Sequence, residues 1–191
     1  MSERRRVGAS REAFVRATGQ LLRRQGYGAT GLNEIVTASG APKGSLYFHF
    51  PGGKEGLAVA AMTREAQMLR DAIAALLRSR EDVVDAVARV IDALEVGLER
   101  SDFQDGCPLA TVALEQSTRS EAVRDAAAGG FNSWLEQIEQ RLLDAGFADS
   151  VAHRKAFLVL SAIEGALILA RARGDVAPLA AVREELSSIL S

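Results

Sequence analysis

The chain has one cysteine, Cys107, and two histidines, His49 and His153, in 191 residues. A single thiol excludes an intramolecular disulfide framework and suits a reducing compartment. Two imidazoles, one thiol and scattered carboxylates give no metal-ligand spacing. There is no phosphate-cradling glycine loop and no nucleophile beside a partner base. No metal or cofactor is expected, and an all-helical enzyme is the remote alternative. No run of about 18 uncharged apolar residues occurs, and the basic N-terminus MSERRRVGASREAF lacks the apolar stretch of a secretory signal. The expectation is a soluble, cytoplasmic protein.

What is present is enough apolar material, 48% of residues, for a sizeable core. Charge is divided unevenly along the chain. Residues 1–60 carry nine Lys and Arg (Arg4, Arg5, Arg6, Arg11, Arg16, Arg23, Arg24, Lys43, Lys54) against four acids, a net of +5. Residues 61–191 carry fourteen against twenty-one, a net of −7. A polyanion is drawn to the first part and repelled by the second, which orients an encounter with DNA before any contact forms.

The stretch GLNEIVTASGAPKGSLYFHFPGGK, residues 31–54, reads as two short helices with a tight turn between them and the start of a third. Gly40 tolerates the left-handed backbone that ends a helix abruptly, and Pro42 suits the first turn of the next. A helix, a short glycine-containing turn and a second helix form a DNA-reading unit. Ahead of it, Ser10 can cap a first helix whose apolar stripe runs Phe14, Ala17, Thr18, Leu21, Leu22. That helix stops at Gly26-Tyr27-Gly28, with Tyr27 able to fold back on the stripe. Thr30 stands at the start of the second helix, where its hydroxyl suits either a phosphate or a simple cap.

In the recognition helix, Lys43 can donate to guanine, Gly44 lets the backbone come close, and Ser45 can serve base or phosphate. Tyr47 offers a phenol to phosphate, Phe48 an apolar edge to a thymine methyl, and His49 a donor to the DNA backbone. Leu46 and Phe50, four apart, point into the core. Ordinary core packing is the competing reading for Tyr47 and Phe48. Lys54 opens the next helix where its ammonium would stand at a phosphate.

The residues Phe14, Ala17, Leu21, Leu22, Gly26, Tyr27, Thr30, Leu32, Ile35, Gly40, Lys43 to Tyr47, His49, Phe50, Lys54 and Leu57 resemble the DNA-binding head of TetR-family transcriptional regulators over about 50 residues. KGSLYFHF followed by KEGL is the specific part of the signal. The resemblance implies that Tyr47 and Lys54 touch phosphates while Lys43 to Ser45 and Phe48 face bases. Two departures are visible: Pro42 removes a capping hydroxyl, and PGG before Lys54 loosens the approach to the fourth helix. GCPLATVALEQ, residues 106–116, resembles the LmrA/YxaF-like subgroup, where it lies beside the ligand cavity.

The fold expected is all-α: a three-helix head with a helix-turn-helix, residues 1–53, and a six-helix body for ligand binding and dimerisation, residues 54–191. A long helix over about residues 54–79 would act as a stiff lever. A fifth follows over 81–100 with an acidic start at Glu81, Asp82 and Asp85, then a sixth from Cys107-Pro108 and a seventh over 120–145. Leu98, Phe103, Cys107, Val112, Phe131, Trp134 and Ile138 are candidates to line a mostly apolar pocket, with core packing the alternative for the aromatic stripe. Residues 156–172 are apolar all round except for Glu164 and Arg171, so that helix must be buried on more than one side. The dimer interface is expected to use Ser161, Glu164, Gly165, Ile168, Ala172, Val182 and Leu186, in a two-fold four-helix arrangement that the resemblance also implies. Glu164 either pairs across it or faces the pocket.

The function expected is a ligand-responsive DNA-binding transcriptional repressor, a homodimer released from a double-stranded inverted-repeat operator by a small apolar inducer. A DNA-binding dimer with a vestigial cavity, controlled by a protein partner, is the alternative.

Overall fold

The computed structural model describes residues 3–78 and 82–191, with side chains from residue 8 onward. Arg4, Arg5, Arg6 and Glu81, which figure in the charge balance and the acidic start of the fifth helix, lie outside the described side chains. Among the described residues all regular structure is helical: α1 (Glu3–Ala29), α2 (Leu32–Ser39), a 3₁₀ turn (Lys43–Ser45) running into α3 (Leu46–His49), α4 (Gly53–Leu77), α5 (Val83–Arg100), α6 (Pro108–Gln116), α7 (Glu121–Asp144), α8 (Asp149–Arg173) and α9 (Ala177–Leu190).

The chain forms two compact units: residues 1–65 with 108–130, and residues 66–107 with 131–191. Helix α4 contributes to both, and α6 belongs to the first. These units partition the chain differently from a division by role at residue 53.

In the first unit, Phe14, Ala17, Thr18 and Leu22 of α1 are buried, as the stripe requires. They share the core with Ile35, Leu46, Leu57, Met62, Leu109 and Val112. Glu65 is buried with its charge answered from two sides, by Arg23 of α1 at 3.1 Å and Arg64 at 2.9 Å, and Arg64 also reaches Glu12 at 2.7 Å. Ion pairs thus tie α4 to α1. Ser10 is not a cap: the helix begins earlier and Ser10 lies inside it.

Helix α1 is interrupted at Gly26, whose φ of 75° and ψ of −175° break the helical ladder. A side chain there would carry two penalties. The left-handed region is unfavourable for an L-residue, and a Cβ would collide with the Glu115 carboxylate of α6.

The second unit is built on α5, α8 and α9 packed together, with α7 and the end of α4. Asp82 caps α5 by accepting from the Val84 N–H at 3.1 Å, and Arg89 of α5 donates to the Leu76 carbonyl at the end of α4, 2.9 Å away. Helix α8 starts at Asp149, seven residues before its apolar run, because the polar turn through His153 is helical too. One face of α8, Ala152, Ala156, Val159, Ile163, Ala166 and Ala170, is buried within the unit. Alanine at four of these six positions lets α9 and its neighbours approach closely. Ser161, Gly165 and Ala172 lie outside this buried face.

Replacing Gly26 with Ala should destabilise the protein by at least about 1–2 kcal/mol from the backbone alone, with the carboxylate collision adding to it. A urea titration followed by circular dichroism measures this as a fall in midpoint; a midpoint equal to wild type would contradict the kink.

Candidate nucleic-acid interface

The reading unit begins with α2. Its first residue follows Gly31, whose N–H is met by Glu34 Oε2 at 3.4 Å, and the same oxygen takes a 2.8 Å bond from Gln25. The helix ends at Gly40, left-handed at φ 63°, with its N–H on the Thr37 carbonyl. The Ser39 hydroxyl accepts from the Ala41 N–H at 3.1 Å and donates to the Val36 carbonyl at 2.9 Å, stiffening the turn. Pro42, at φ −60°, then stands as the cap of the recognition segment without a side-chain hydrogen bond. The capping hydroxyl missing there is compensated from within: both the N–H and the hydroxyl of Ser45 donate to the Pro42 carbonyl, at 2.9 and 2.7 Å.

Leu46 and Phe50, one turn apart, are buried and anchor the segment. That leaves Lys43, Gly44, Tyr47 and Phe48 facing outward. Tyr47 is 60% and Phe48 75% exposed, so neither is a core residue. Exposed aromatics of this size on a short helix indicate a contact surface. A Cβ at Gly44 would meet nothing within 4 Å, so the backbone there is open to close approach. His49 is half-buried, edge-on to Phe48 at 5.2 Å and to Phe50 at 6.4 Å between ring centroids. Arg11 of α1 lies 5.3 Å from the centre of the Phe50 ring, a pairing without sequence periodicity to announce it.

Beyond α3 the chain turns through Pro51-Gly52-Gly53, with Gly53 left-handed at φ 59° and its N–H on the Phe50 carbonyl at 2.9 Å. The glycines close a tight turn rather than loosening the start of α4. Lys54 follows at once. Its ammonium sits 4.3 Å from the centre of the Tyr27 ring and 3.5 Å from the Gly28 carbonyl oxygen. The half-buried Tyr27 ring thus supports Lys54. Burial, and secondarily the Glu55 charge, push the Tyr27 phenol up, so it stays a neutral donor.

Thr30 is not at the surface. It is 1% exposed, and its hydroxyl donates to the Gly26 carbonyl at 2.7 Å, sealing the kink in α1. It neither caps α2, a place taken by Gly31, nor is open to a phosphate.

The residues expected to line a ligand pocket are drawn from both units. Val112 is buried in the first unit, while Leu98, Phe103, Cys107, Phe131, Trp134 and Ile138 belong to the second. Trp134 is 1% exposed, donates its Nε1–H to the Ala66 carbonyl of α4 at 2.9 Å, and meets Phe131 at right angles, 5.4 Å between centroids. It is a core anchor. Asp102 and Phe103 hold consecutive left-handed conformations, φ 52° and 56°, and the Phe103 N–H closes the end of α5 on the Leu98 carbonyl at 2.8 Å. Such strain persists only where surrounding structure over-determines it. Cys107 is half-buried rather than an inert core residue, and its thiol bonds the Glu164 carboxylate. Burial pushes the Glu164 carboxyl above the usual range against the opposing effect of that bond, and its Oε2 is covered without a hydrogen-bond partner.

Of the expected interface residues, Ser161, Ile168 and Ala172 are exposed, and Gly165 and Val182 are half-buried. Leu186 is 3% exposed within its own unit, and the Glu164 carboxyl meets the Cys107 thiol. Phe157, Leu158 and Leu169 join Ile168 on the exposed apolar face of α8, unnoticed in the sequence because hydrophobicity alone does not distinguish the inner from the outer face.

A short helix presenting Lys43, Tyr47 and Phe48 across a glycine turn from a supporting helix, with a lysine opening the next helix, defines a helix-turn-helix DNA-binding protein. Residues 14–61 match the family model for bacterial regulatory proteins of the tetR family, and residues 83–185 match that for the C-terminal domain of LmrA/YxaF-like transcriptional regulators. The HTH-type transcriptional regulator LmrA of Bacillus subtilis is 35% identical over 90% of this chain and 92% of its own. The uncharacterized HTH-type regulator YxaF of the same organism is 35% identical over 94% of both. A crystal structure of a TetR transcriptional regulator from Legionella pneumophila superposes with a TM-score of 0.81 at 25% identity, covering 94% of this chain and 96% of that one. The chain belongs to the TetR family of DNA-binding transcriptional regulators, within the LmrA/YxaF-like subgroup. Among the described residues no helix is long and apolar enough to cross a membrane.

Trp134→Ala should cost about 3–5 kcal/mol by leaving a cavity. Trp134→Phe, which keeps a ring but removes the indole donor to the Ala66 carbonyl, should lose about 1 kcal/mol of hydrogen bonding on top of its smaller packing loss. Denaturant titration checks both; a wild-type midpoint for Trp134→Ala would return the ring to a pocket wall.

Proposed function

We propose that the protein is a ligand-responsive repressor that binds an inverted-repeat operator as a homodimer and leaves it when a small apolar molecule occupies the second part of the chain. The observation that carries the DNA contact is the exposed row Lys43, Gly44, Tyr47 and Phe48 with Lys54 adjoining it. Lys43 and Ser45 read base edges, Ser45 through its free lone pairs, because its proton is held by the Pro42 carbonyl. Phe48 meets a thymine methyl, and Tyr47, His49 and Lys54 meet phosphates. DNA reading is assigned to residues 1–53, and ligand binding and dimerisation to 54–191.

Pairing is supported by two considerations. One recognition helix reads about four base pairs, a word recurring about once per 256, far too often among competing genomic sites. The exposed apolar face of α8 offers the surface to join two copies. Two heads then require half-sites about 34–36 Å or more apart on one DNA face. A ligand that fits better when α4 is tilted shifts the population toward a wrong head spacing, which needs a coupling of order 1–3 kcal/mol. The work is done where DNA is, in the cytoplasm.

Selection from random-sequence duplex DNA tests the reading and should return an inverted repeat; a single unpaired half-site bound by monomer would sink the dimer. Tyr47→Ala should weaken binding to the selected duplex by about 1 kcal/mol or more with dimerisation intact, and equal affinity would remove Tyr47 from the interface. Ile168→Glu should yield a monomer in sedimentation and abolish operator binding at nanomolar protein; a dimeric Ile168→Glu would place the interface elsewhere.

A further inference from the structure

Glu115 sits one residue from the end of α6, and its carboxylate is engaged with the backbone of α1. Oε1 accepts from the Tyr27 N–H at 3.1 Å and Oε2 from the Gly28 N–H at 2.5 Å. These are amides displaced from the helical ladder by the kink at Gly26. A carboxylate gripping two successive amides makes short, charge-assisted and directional bonds. Both oxygens are used, so the carboxylate fixes the plane of the turn as well as its distance. The place is reserved for it, because a Cβ at Gly26 would collide with Oε1 and stand 3.2 Å from the Thr111 methyl.

The other side of the same turn holds Lys54. The Tyr27 ring lies under its ammonium, and the Gly28 carbonyl is within reach of it. Residues 27 and 28 therefore join an α6 carboxylate to an α4 ammonium through one peptide unit and one ring. The loop that leads into α6 ends at Cys107, which belongs to the second unit.

We propose that Glu115 is a positioning residue for DNA binding: it holds the Gly26–Gly28 turn so that Tyr27 and Gly28 keep Lys54 aimed outward at a phosphate. A shift of α6 that draws the carboxylate away by about 1 Å breaks both bonds, since such bonds weaken steeply beyond normal length. The turn then relaxes, Lys54 loses its support, and the head gives up its hold on a phosphate without any change in the recognition segment. This rests on the DNA-binding reading of Lys54, so the test has one arm that needs no DNA.

In that arm, Glu115→Gln keeps the shape but presents an NH₂ to one backbone N–H. Hydrogen exchange at the Tyr27 and Gly28 amides should accelerate tenfold or more while α2 and α4 keep their rates. The ε-methylene protons of Lys54, shifted upfield by the Tyr27 ring, should move toward their solvent-exposed position. Unchanged exchange or unchanged Lys54 shifts overturn the proposal whatever the protein does with DNA. In the second arm, on a duplex selected by the wild-type protein, Glu115→Gln should bind about tenfold more weakly. The slope of log affinity against log salt should flatten by about 0.9 for each phosphate that is no longer neutralised. Combining Glu115→Gln with Lys54→Gln should be no weaker than Lys54→Gln alone. Additive losses, or a slope equal to wild type, overturn the link to Lys54. Glu115→Asp, which reaches one amide, should fall between. A wild-type protein that selects no duplex would refute the DNA reading alone, with the first arm still deciding the clamp.

Discussion

A chain leaving a helix must find partners for the backbone groups that the helix no longer satisfies. At Gly26 this happens where α1 bends toward α2, and the displaced groups are met partly from within the turn and partly from α6. Glu115 takes the Tyr27 and Gly28 amides, the Thr30 hydroxyl takes the Gly26 carbonyl, the Thr30 N–H takes the Tyr27 carbonyl, and Gln25 takes the Ala29 carbonyl. The direction of α2 follows from this turn, and with it the placement of the recognition segment. Lys54 leans on Tyr27 and Gly28 of the same turn. A bend of this kind is a local device with a distant brace, 87 residues away along the chain.

Local devices were legible in the sequence alone. The α1 stripe, the Gly40 turn, Pro42 at the head of the recognition segment and the buried pair Leu46 and Phe50 all follow from periodicity and turn chemistry, and the all-helical class follows with them. The outward set Lys43, Gly44, Tyr47 and Phe48 was readable for the same reason, since fixing two anchors on a short helix determines what points away. Distant pairings were not readable. Glu115 looks like any polar residue in ALEQ, and Trp134 on its stripe gives no sign that its N–H belongs to the Ala66 carbonyl. Thr30 misled because a threonine ahead of a helix usually caps it. Here the kink one turn earlier had the stronger claim on its hydroxyl.

Helix α8 shows how an apolar helix can divide its labour without a polar face. The inner side uses alanine to let α9 come near, and the outer side uses Phe157, Leu158, Ile168 and Leu169. Bulk on one side and its absence on the other are the distinguishing pattern, and an index of hydrophobicity alone is blind to it. Leu186 belongs to the inner arrangement and Ile168 to the outer, though both are aliphatic residues on neighbouring helices.

Glu164 carries a consequence of a different kind. Its folded carboxyl binds a proton more tightly than the unfolded one, because burial disfavours the charge more than the Cys107 thiol supports it. Linkage then fixes the sign: this residue favours the folded state most fully below its unfolded value of 4.5, and that contribution is lost as pH rises through the higher folded value. Acid unfolding of most proteins runs through carboxylates that folding holds charged. At this position the second unit is built the other way round, with the neutral carboxyl as the form that folding favours.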